Sequence, residues 1–507
     1  MKTREKLNRL AESYGVETSY VDMGGHRQFA SAKSLQLVLK SFGDYPKRRP
    51  QPVRVVWDKP PFGYRREGET LVISAPRKCF QPKRRDWGLF LPLYALQSGR
   101  SSGAGDLSDL KAFARWAGRQ GAGWVGTLPL LSLFLDRPFE PSPYAPISRL
   151  FWSEFWLDVG PIKGLPRGQW VDYRRQMAAK RRILEKRSKR WSPPQGWLRE
   201  RPEAEEYARF RAMKEGRPGS ARAERTHLYA TWLAERQMED LRRSCARRNV
   251  GLYFDLPLGV HPQGYDAWKE REIFVEGMHV GAPPDTFFTW GQDWGFRPMH
   301  PEKIREQGYD YFIRCVRHSM RYASMLRVDH IMGLHRLFWV PEGRPAGEGV
   351  YVRYRAEEMV AILCLESHRN RCVVVGEDLG TVPPEVRRSM RRHGMAGMFV
   401  VQYEMKPDSR RPLRSAPLGS VAGLNTHDMP PFANVGTVEM AQALLRKLAD
   451  GPARSVVVNP EDLWGEERPH NVPGTTGRKN WSRKARFPLE QFGERIGCRL
   501  PPARRRA

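Results

Sequence analysis

From about residue 86 the chain alternates between two hydrophobic patterns. One is a set of short apolar runs: WGLFLPLYAL (87–96), GWVGTLPLL (123–131), NVGLYFDLPL (249–258), SMLRVDH (324–330), CVVVGEDLG (372–380), MAGMFVVQYE (395–404), SVAGLNTHD (420–428) and RSVVVNPEDL (454–463). Runs of this length, rich in branched and aromatic side chains, predict buried strands. The other is an amphipathic pattern with helical spacing, as in DLSDLKAFARWAGRQ (106–120), YDYFIRCVRHSMRYA (309–323), RAEEMVAILCLESHRNR (355–371), PPEVRRSMRRHG (383–394) and VEMAQALLRKLAD (438–450). Asp106 is placed to cap the first of these helices, and the prolines at 383–384 to start the fourth. Eight strands separated mostly by helices predict a (β/α)8 barrel, with a doubly wound open sheet as the alternative.

The chain before residue 86 reads differently. LNRLAESYG and SAKSLQLVLKSFG are helical, with a turn between them at Met23-Gly24-Gly25, and PVRVVW and TLVISA predict a small β element. This gives an N-terminal helical and β region over 1–85 and a barrel over 86–507. Residues 161–247, with RRQMAAKRRILEKRSKRW and LYATWLAERQMEDLRRSCARR, predict a large helical insertion where a simple βα unit has one helix.

Composition supports a large core: 507 residues, 40 % hydrophobic, with 16 tryptophans. The net charge of +30 first suggests a polyanion partner. The excess is spread along the chain as arginine pairs, without zinc-finger spacing, an aromatic RNA-binding strand motif or a basic zipper, so nucleic acid is not the expected partner. WVGTLPLLSLFL (124–135) is the longest apolar run and falls short of the roughly 18–20 residues that span a bilayer. The N-terminus carries no apolar signal region, and six cysteines without C-x-x-C spacing read as buried thiols, so the expectation is a cytoplasmic protein. GAGWVG (121–126) matches G-x-G-x-x-G but follows a helix and opens a strand, the reverse of a dinucleotide site. No cofactor is expected.

The chemistry gathers at the ends of the apolar runs. Asp255, Asp329, Glu377 with Asp378, and Asp428 each close one. In a barrel such positions converge on one mouth. Converging carboxylates serve either oxygen-ligated metals or glycosidic bonds, and any single one can be merely a cap or turn residue. Arg327 and His427 among them favour sugar over a metal cation, and no metal is expected.

Several of these segments resemble the amylomaltase or disproportionating-enzyme type of 4-α-glucanotransferase, glycoside hydrolase family 77. RVDHIMGL, VVVGEDLG and LNTHD are similar to its strand-4, strand-5 and strand-7 motifs. LFLPLYALQSGRSSGAGDLSDL, SPYAPISRLFWSEFWLDV, GAPPDTFFTWGQDWGFRP and NVPGTTGRKNW extend the likeness over most of the chain, and the GAPPD…GQ-x-WG block is the most specific. The resemblance implies retaining transfer of α-1,4-glucan segments through a covalent glycosyl-enzyme. By motif position it makes Asp329 the nucleophile, Glu377 the acid/base and Asp428 the transition-state stabiliser, with Arg327 holding Asp329 ionised. It moves His427 toward substrate binding. Trp294, Tyr144 and Trp290 are candidate aromatic contacts with sugar, Gln292 a candidate hydroxyl-binding side chain, and Asp255, Asp285 and His330 further candidate contacts, with ordinary packing the alternative for Trp290, Tyr144 and the two histidines. Asp378, beside Glu377 on an extended backbone, is expected to face away from the substrate. The rivals are an α-glucan hydrolase on the same site and a non-catalytic glucan- or polyanion-binding protein. The sequence departs from the family pattern at Ile331-Met332, Met429-Pro430-Pro431 and Phe254.

Overall fold

A computed structural model describes residues 2–22, 24–43, 52–83, 85–101, 103–165, 168–285, 288–406, 413–475 and 479–501. Met23 of the expected turn, Thr286 and Phe287 of GAPPDTFFTW, residues 476–478 of NVPGTTGRKNW, and the basic tail from residue 502 lie outside the described residues.

All eight expected strands form: β1 Asp86–Phe90, β2 Trp124–Gly126, β3 Gly251–Leu256, β4 Met325–Val328, β5 Val373–Gly376, β6 Met398–Val400, β7 Val421–Gly423 and β8 Ser455–Val458. They make one sheet in the order β5-β4-β3-β2-β1-β8-β7-β6. The first strand pairs in parallel with both the second and the last. The remaining gap is bridged where Val375 pairs in parallel with Ala396, with Gly376 N–H donating to Ala396 O at 2.8 Å and Ala396 N–H to Val374 O at 2.9 Å. A cyclic order with the last strand beside the first is a barrel, not a doubly wound sheet.

Glycine at 88 has a packing reason. A Cβ there would lie 2.1 Å from the Trp124 indole, whose Nε1 donates to Ser455 Oγ at 2.7 Å and so ties β2 to β8. The helix Leu107–Arg119 starts as its sequence predicts. The Asp106 carboxylate accepts from Ser108 and Asp109 N–H, and Asp109 accepts in return from Asp106 N–H at 3.0 Å.

By contacts the chain divides into two compact units, residues 1–81, 256–321 and 327–397 in one and 82–255, 322–326 and 398–507 in the other. The first holds helices Lys2–Ser13 and Ala32–Ser41, a three-stranded sheet and a four-stranded antiparallel sheet. In the three-stranded sheet, Val53–Trp57 and Gly63–Glu67 flank the buried Thr70–Ala75. In the four-stranded sheet, Met278–Ala282 lies between Gln292–Asp293 and Arg336–Pro341, which pairs on its other side with Val350–Arg353. The second unit holds helices Tyr173–Ser188, Gln195–Glu200, Ala204–Lys214 and Ala221–Ala246, in the stretch whose sequence predicts helix. Five cysteines are buried and Cys498 is exposed, against the expectation that all are buried; it sits in a short C-terminal 3-10 turn. No helix among the described residues is long and apolar enough to cross a membrane.

Candidate active site

In the first unit, β4 ends and the chain turns sharply. His330 takes a left-handed conformation, φ 48° and ψ 61°, which costs a residue with a Cβ about 1–2 kcal/mol. The turn has a return. It directs His330 N–H to Glu377 Oε2 at 3.1 Å, while Leu379 N–H reaches the other carboxyl oxygen at 2.7 Å. The backbone continues the pairing: Glu377 N–H donates to Val328 O at 3.0 Å and Ile331 N–H to Glu377 O at 3.1 Å. Glu377 is thereby fixed beside the segment that carries Asp329.

Arg327 and Asp329, two apart on an extended backbone, share a face, and the guanidinium lies 2.9 Å from Asp329 Oδ1. Glu377 has a different electrostatic setting. Burial pushes its carboxyl up to about 7; the negative charge of Asp329 adds to this, and Arg327 and the Leu379 N–H oppose it. The His330 imidazole is pushed down to about 4, first by burial, with Asp329 opposing and Arg327 assisting, so the ring is neutral at pH 7. Trp294 meets that ring edge-on at 5.1 Å and stacks on Phe296 at 6.1 Å, and its Nε1 donates to Gln292 Oε1 at 3.2 Å. Asp378 has a guanidinium partner on the following helix, with Arg387 Nε 3.4 Å from its carboxylate.

The second unit brings together another set. The Tyr144 hydroxyl donates to Asp255 Oδ2 at 2.7 Å, and Asp255 is buried at the end of β3. The Tyr144 ring stacks on His427, centroids 5.1 Å apart and 15° from parallel, and Trp481 leans on both at 5.8 Å. Asp428 accepts from Asn471 Nδ2 at 2.7 Å. His427 Nε2 lies 3.1 Å from Asp428 Oδ2, outside hydrogen-bond geometry.

Asp285 and Trp290 occupy the loop between the strands Met278–Ala282 and Gln292–Asp293. The Asp285 carboxylate accepts from Phe288 N–H at 2.6 Å, and the Trp290 side chain stands 86 % exposed. No group of His, Cys, Asp and Glu side chains among the described residues is arranged to hold a metal ion.

A family model described as 4-alpha-glucanotransferase, glycoside hydrolase family 77, matches residues 91–224 and 219–436. A 4-alpha-glucanotransferase of Mycobacterium tuberculosis is 32 % identical, over 83 % of this chain and 76 % of that one. The chain belongs to the 4-alpha-glucanotransferase family. A second member, from Haemophilus influenzae, is 26 % identical over 85 % of this chain and 80 % of that one. Among solved structures, the amylomaltase from Corynebacterium glutamicum superposes with a TM-score of 0.89 at 22 % identity, covering 98 % of this chain and all of that one. The Streptococcus agalactiae amylomaltase in complex with acarbose gives 0.72 at 19 %, covering 82 % and 98 %. Both share the fold.

Two features of this glucanotransferase escaped sequence reasoning. Asn471 and Trp481 lie in the NVPGTTGRKNW stretch, which the family likeness singled out without pointing to a residue. Phe296, under Trp294, explains Gly259, where a Cβ would lie 2.2 Å from the Phe296 ring. The departures at Ile331-Met332 and Phe254 are buried packing positions: a Cβ on Gly376 would sit 2.8 Å from Ile331, so isoleucine fills the space beside the end of β5.

Proposed function

We propose that this 4-alpha-glucanotransferase moves α-1,4-glucan segments from a donor glucan to the 4-hydroxyl of an acceptor glucan or glucose by a retaining mechanism. In this mechanism an Asp329 oxygen attacks the anomeric carbon of the donor. The bond from that carbon to the glycosidic oxygen breaks, and Glu377 gives that oxygen its proton. The shortened glucan leaves and a glycosyl ester remains on Asp329. The 4-hydroxyl of an acceptor then attacks the same carbon, Glu377 takes its proton, and the ester bond breaks to restore the Asp329 carboxylate. One glycosidic bond is lost and one gained, so no oxidant or reductant is called for.

The observation that carries this reading is the division of labour between two neighbouring carboxyls. Asp329 is paired with Arg327, which suits an anionic nucleophile. Glu377, pushed up to about 7, is still substantially protonated near neutral pH, which suits an acid that must later turn base. Asp428 is assigned to the sugar hydroxyls, where a carboxylate can strengthen its hydrogen bonds as charge develops on the ring. Tyr144, His427, Gln292, Trp294 and Trp290 are assigned to sugar contacts, and the neutral His330 ring to lining the nucleophile.

The test is incubation with maltotriose and separation of the products. Transfer gives glucose and a ladder of longer maltooligosaccharides, whereas hydrolysis gives only shorter ones and would overturn the reading. Asp329→Asn is expected to abolish the ladder while the unfolding midpoint stays near that of the parent; a ladder at a comparable rate would remove Asp329 from its role.

A further inference from the structure

Asp428 is the least confined of the proposed catalytic carboxylates, its side chain 45 % exposed. The direction of an exposed carboxylate depends on the groups that bond to it. The amide of Asn471 supplies a fix: Nδ2 donates to Oδ1 at 2.7 Å, and a hydrogen bond to an ionised acceptor is among the stronger kinds. Asn471 is itself buried, and the residue before it is anchored on the other side of the chain.

That anchor is a buried polar cluster that the chemistry above does not use. His470 Nε2 lies 2.5 Å from Glu461 Oε2, and His470 Nδ1 lies 2.9 Å from the Tyr94 hydroxyl. Arg483 grips the same glutamate with both arms, at 2.7 and 2.8 Å. Glu461 can only accept, so Nε2 carries the imidazole proton and Nδ1 accepts from Tyr94. Burial favours the neutral imidazole, and Arg483 Nη2 also packs against its Nε2 at 2.9 Å. The loop is closed on it, since Trp481 N–H donates to His470 O at 2.8 Å, and Asn480 Oδ1 accepts from Val472 N–H at 3.3 Å. Asn471 and Trp481 thus leave the same clamp and reach Asp428 and the His427–Tyr144 stack respectively. Buried ion pairs contribute little net stability compared with apolar packing, and a register role is their best-attested use.

We propose that Asn471 is a positioning residue for Asp428, and that the buried Tyr94–His470–Glu461–Arg483 cluster holds Asn471 in register for that task. The inference rests on the proposed role of Asp428. A stabilising group misplaced by about 1 Å can cost on the order of 100-fold in rate.

The test is steady-state disproportionation of maltotriose by the full chain. Asn471→Asp keeps the side-chain shape but replaces the donor by an acceptor facing Asp428. It is expected to lower kcat about 100-fold with KM within about threefold of the parent. Asn471→Ala gives the same split without adding charge, and serves if the aspartate variant loses its fold. Asn471→Ser, which keeps a short donor, recovers part of the rate. Arg483→Lys, which keeps the charge but loses the two-armed grip, lowers kcat about tenfold at unchanged KM, by loosening the clamp. A kcat within twofold of the parent in Asn471→Asp, or a loss confined to KM, overturns the proposal. Asp428→Asn run alongside separates the two levels. If that variant keeps the parent rate, the role given to Asp428 has failed; if it is inactive while Asn471→Asp is not, only the link has.

Discussion

Glu377 and Glu461 share a difficulty and resolve it in opposite ways. Burial raises the pKa of both. At Glu461, His470 and Arg483 outweigh burial and hold the carboxyl at about 2; with the imidazole itself favoured neutral, the two-armed guanidinium carries this at neutral pH. At Glu377 the Arg327 guanidinium, which opposes the rise, is paired with Asp329 instead, and the carboxyl accepts two backbone N–H groups and rises to about 7. The placement of one cation therefore separates a carboxyl that can exchange a proton at neutral pH from one that cannot. Asp462 keeps this from becoming a rule about pKa alone. Burial also pushes it to about 7, yet it is occupied in joining Asn425 and the Phe432 N–H, and it is only 4 % exposed. A raised pKa marks an acid/base group only where a substrate can reach it.

The sharpest way to break the comparison is to remove the proton of Glu377. Glu377→Gln is expected to lower kcat by roughly 1,000-fold, within the range of general acid–base catalysis. Its stability should move the other way. A carboxyl whose folded pKa is raised from 4.5 to about 7 contributes its stability fully below about 4.5 and loses it as pH climbs through about 7. Glutamine cannot ionise, so the variant's unfolding midpoint should exceed the parent's at pH 8 and match it near pH 4.5. Equal midpoints at pH 8 would mean that the carboxylate is not penalised by burial. The same pKa predicts that the parent's kcat/KM for maltotriose declines above about pH 7, as the acid form is lost. A profile flat to pH 9 would contradict it.

Replacing each arginine in turn tests the comparison through stability. Arg483→Met leaves Glu461 buried without its guanidinium, and breaking such a pair costs about 3–5 kcal/mol by denaturant unfolding. Arg327→Met leaves Asp329, whose side chain is 23 % exposed and can recruit water, so its stability cost should be smaller, about 1 kcal/mol. Its kcat should fall about 100-fold, as when one electrostatic partner of a catalytic group is removed. Comparable stability losses in the two variants would show that the clusters do not differ as described.

How much of this was legible in the sequence follows from which forces acted locally. All eight barrel strands were visible because each is a buried apolar run, but the readings ran long. WGLFLPLYAL continues past β1 into the turn at Pro92, and VQYE after β6 is a short helix, because apolar character persists where sheet pairing ends. Gly63–Glu67 was missed since GYRRE is an edge strand with charged side chains exposed, and the four-stranded sheet was missed since its central pairing joins Met278–Ala282 to Arg336–Pro341, far apart in the chain. The strand-end carboxylates were legible, as they interrupt apolar runs. Asn471 was not, because an asparagine in a loop carries no pattern until the fold brings Asp428 to it.

The smallest effect distinguishes two tryptophans of one motif. Trp290 and Trp294 are four residues apart in TWGQDWG, and sequence gives no reason to rank them. Trp294 packs on Phe296 and His330, so Trp294→Ala removes two aromatic contacts, worth roughly 0.5–1.5 kcal/mol each. It also frees the His330 turn that holds Glu377, so kcat should fall with stability. Trp290, at 86 % exposed, touches little that folding needs, and Trp290→Ala should change the unfolding free energy by no more than about 0.5 kcal/mol. Its effect should appear as a raised KM that grows with the length of the glucan, because an exposed indole gains only by covering a sugar face. An unchanged KM across maltotriose and longer maltooligosaccharides would leave Trp290 without a part in binding, and would confine the aromatic contribution of this motif to the ring that packs on His330.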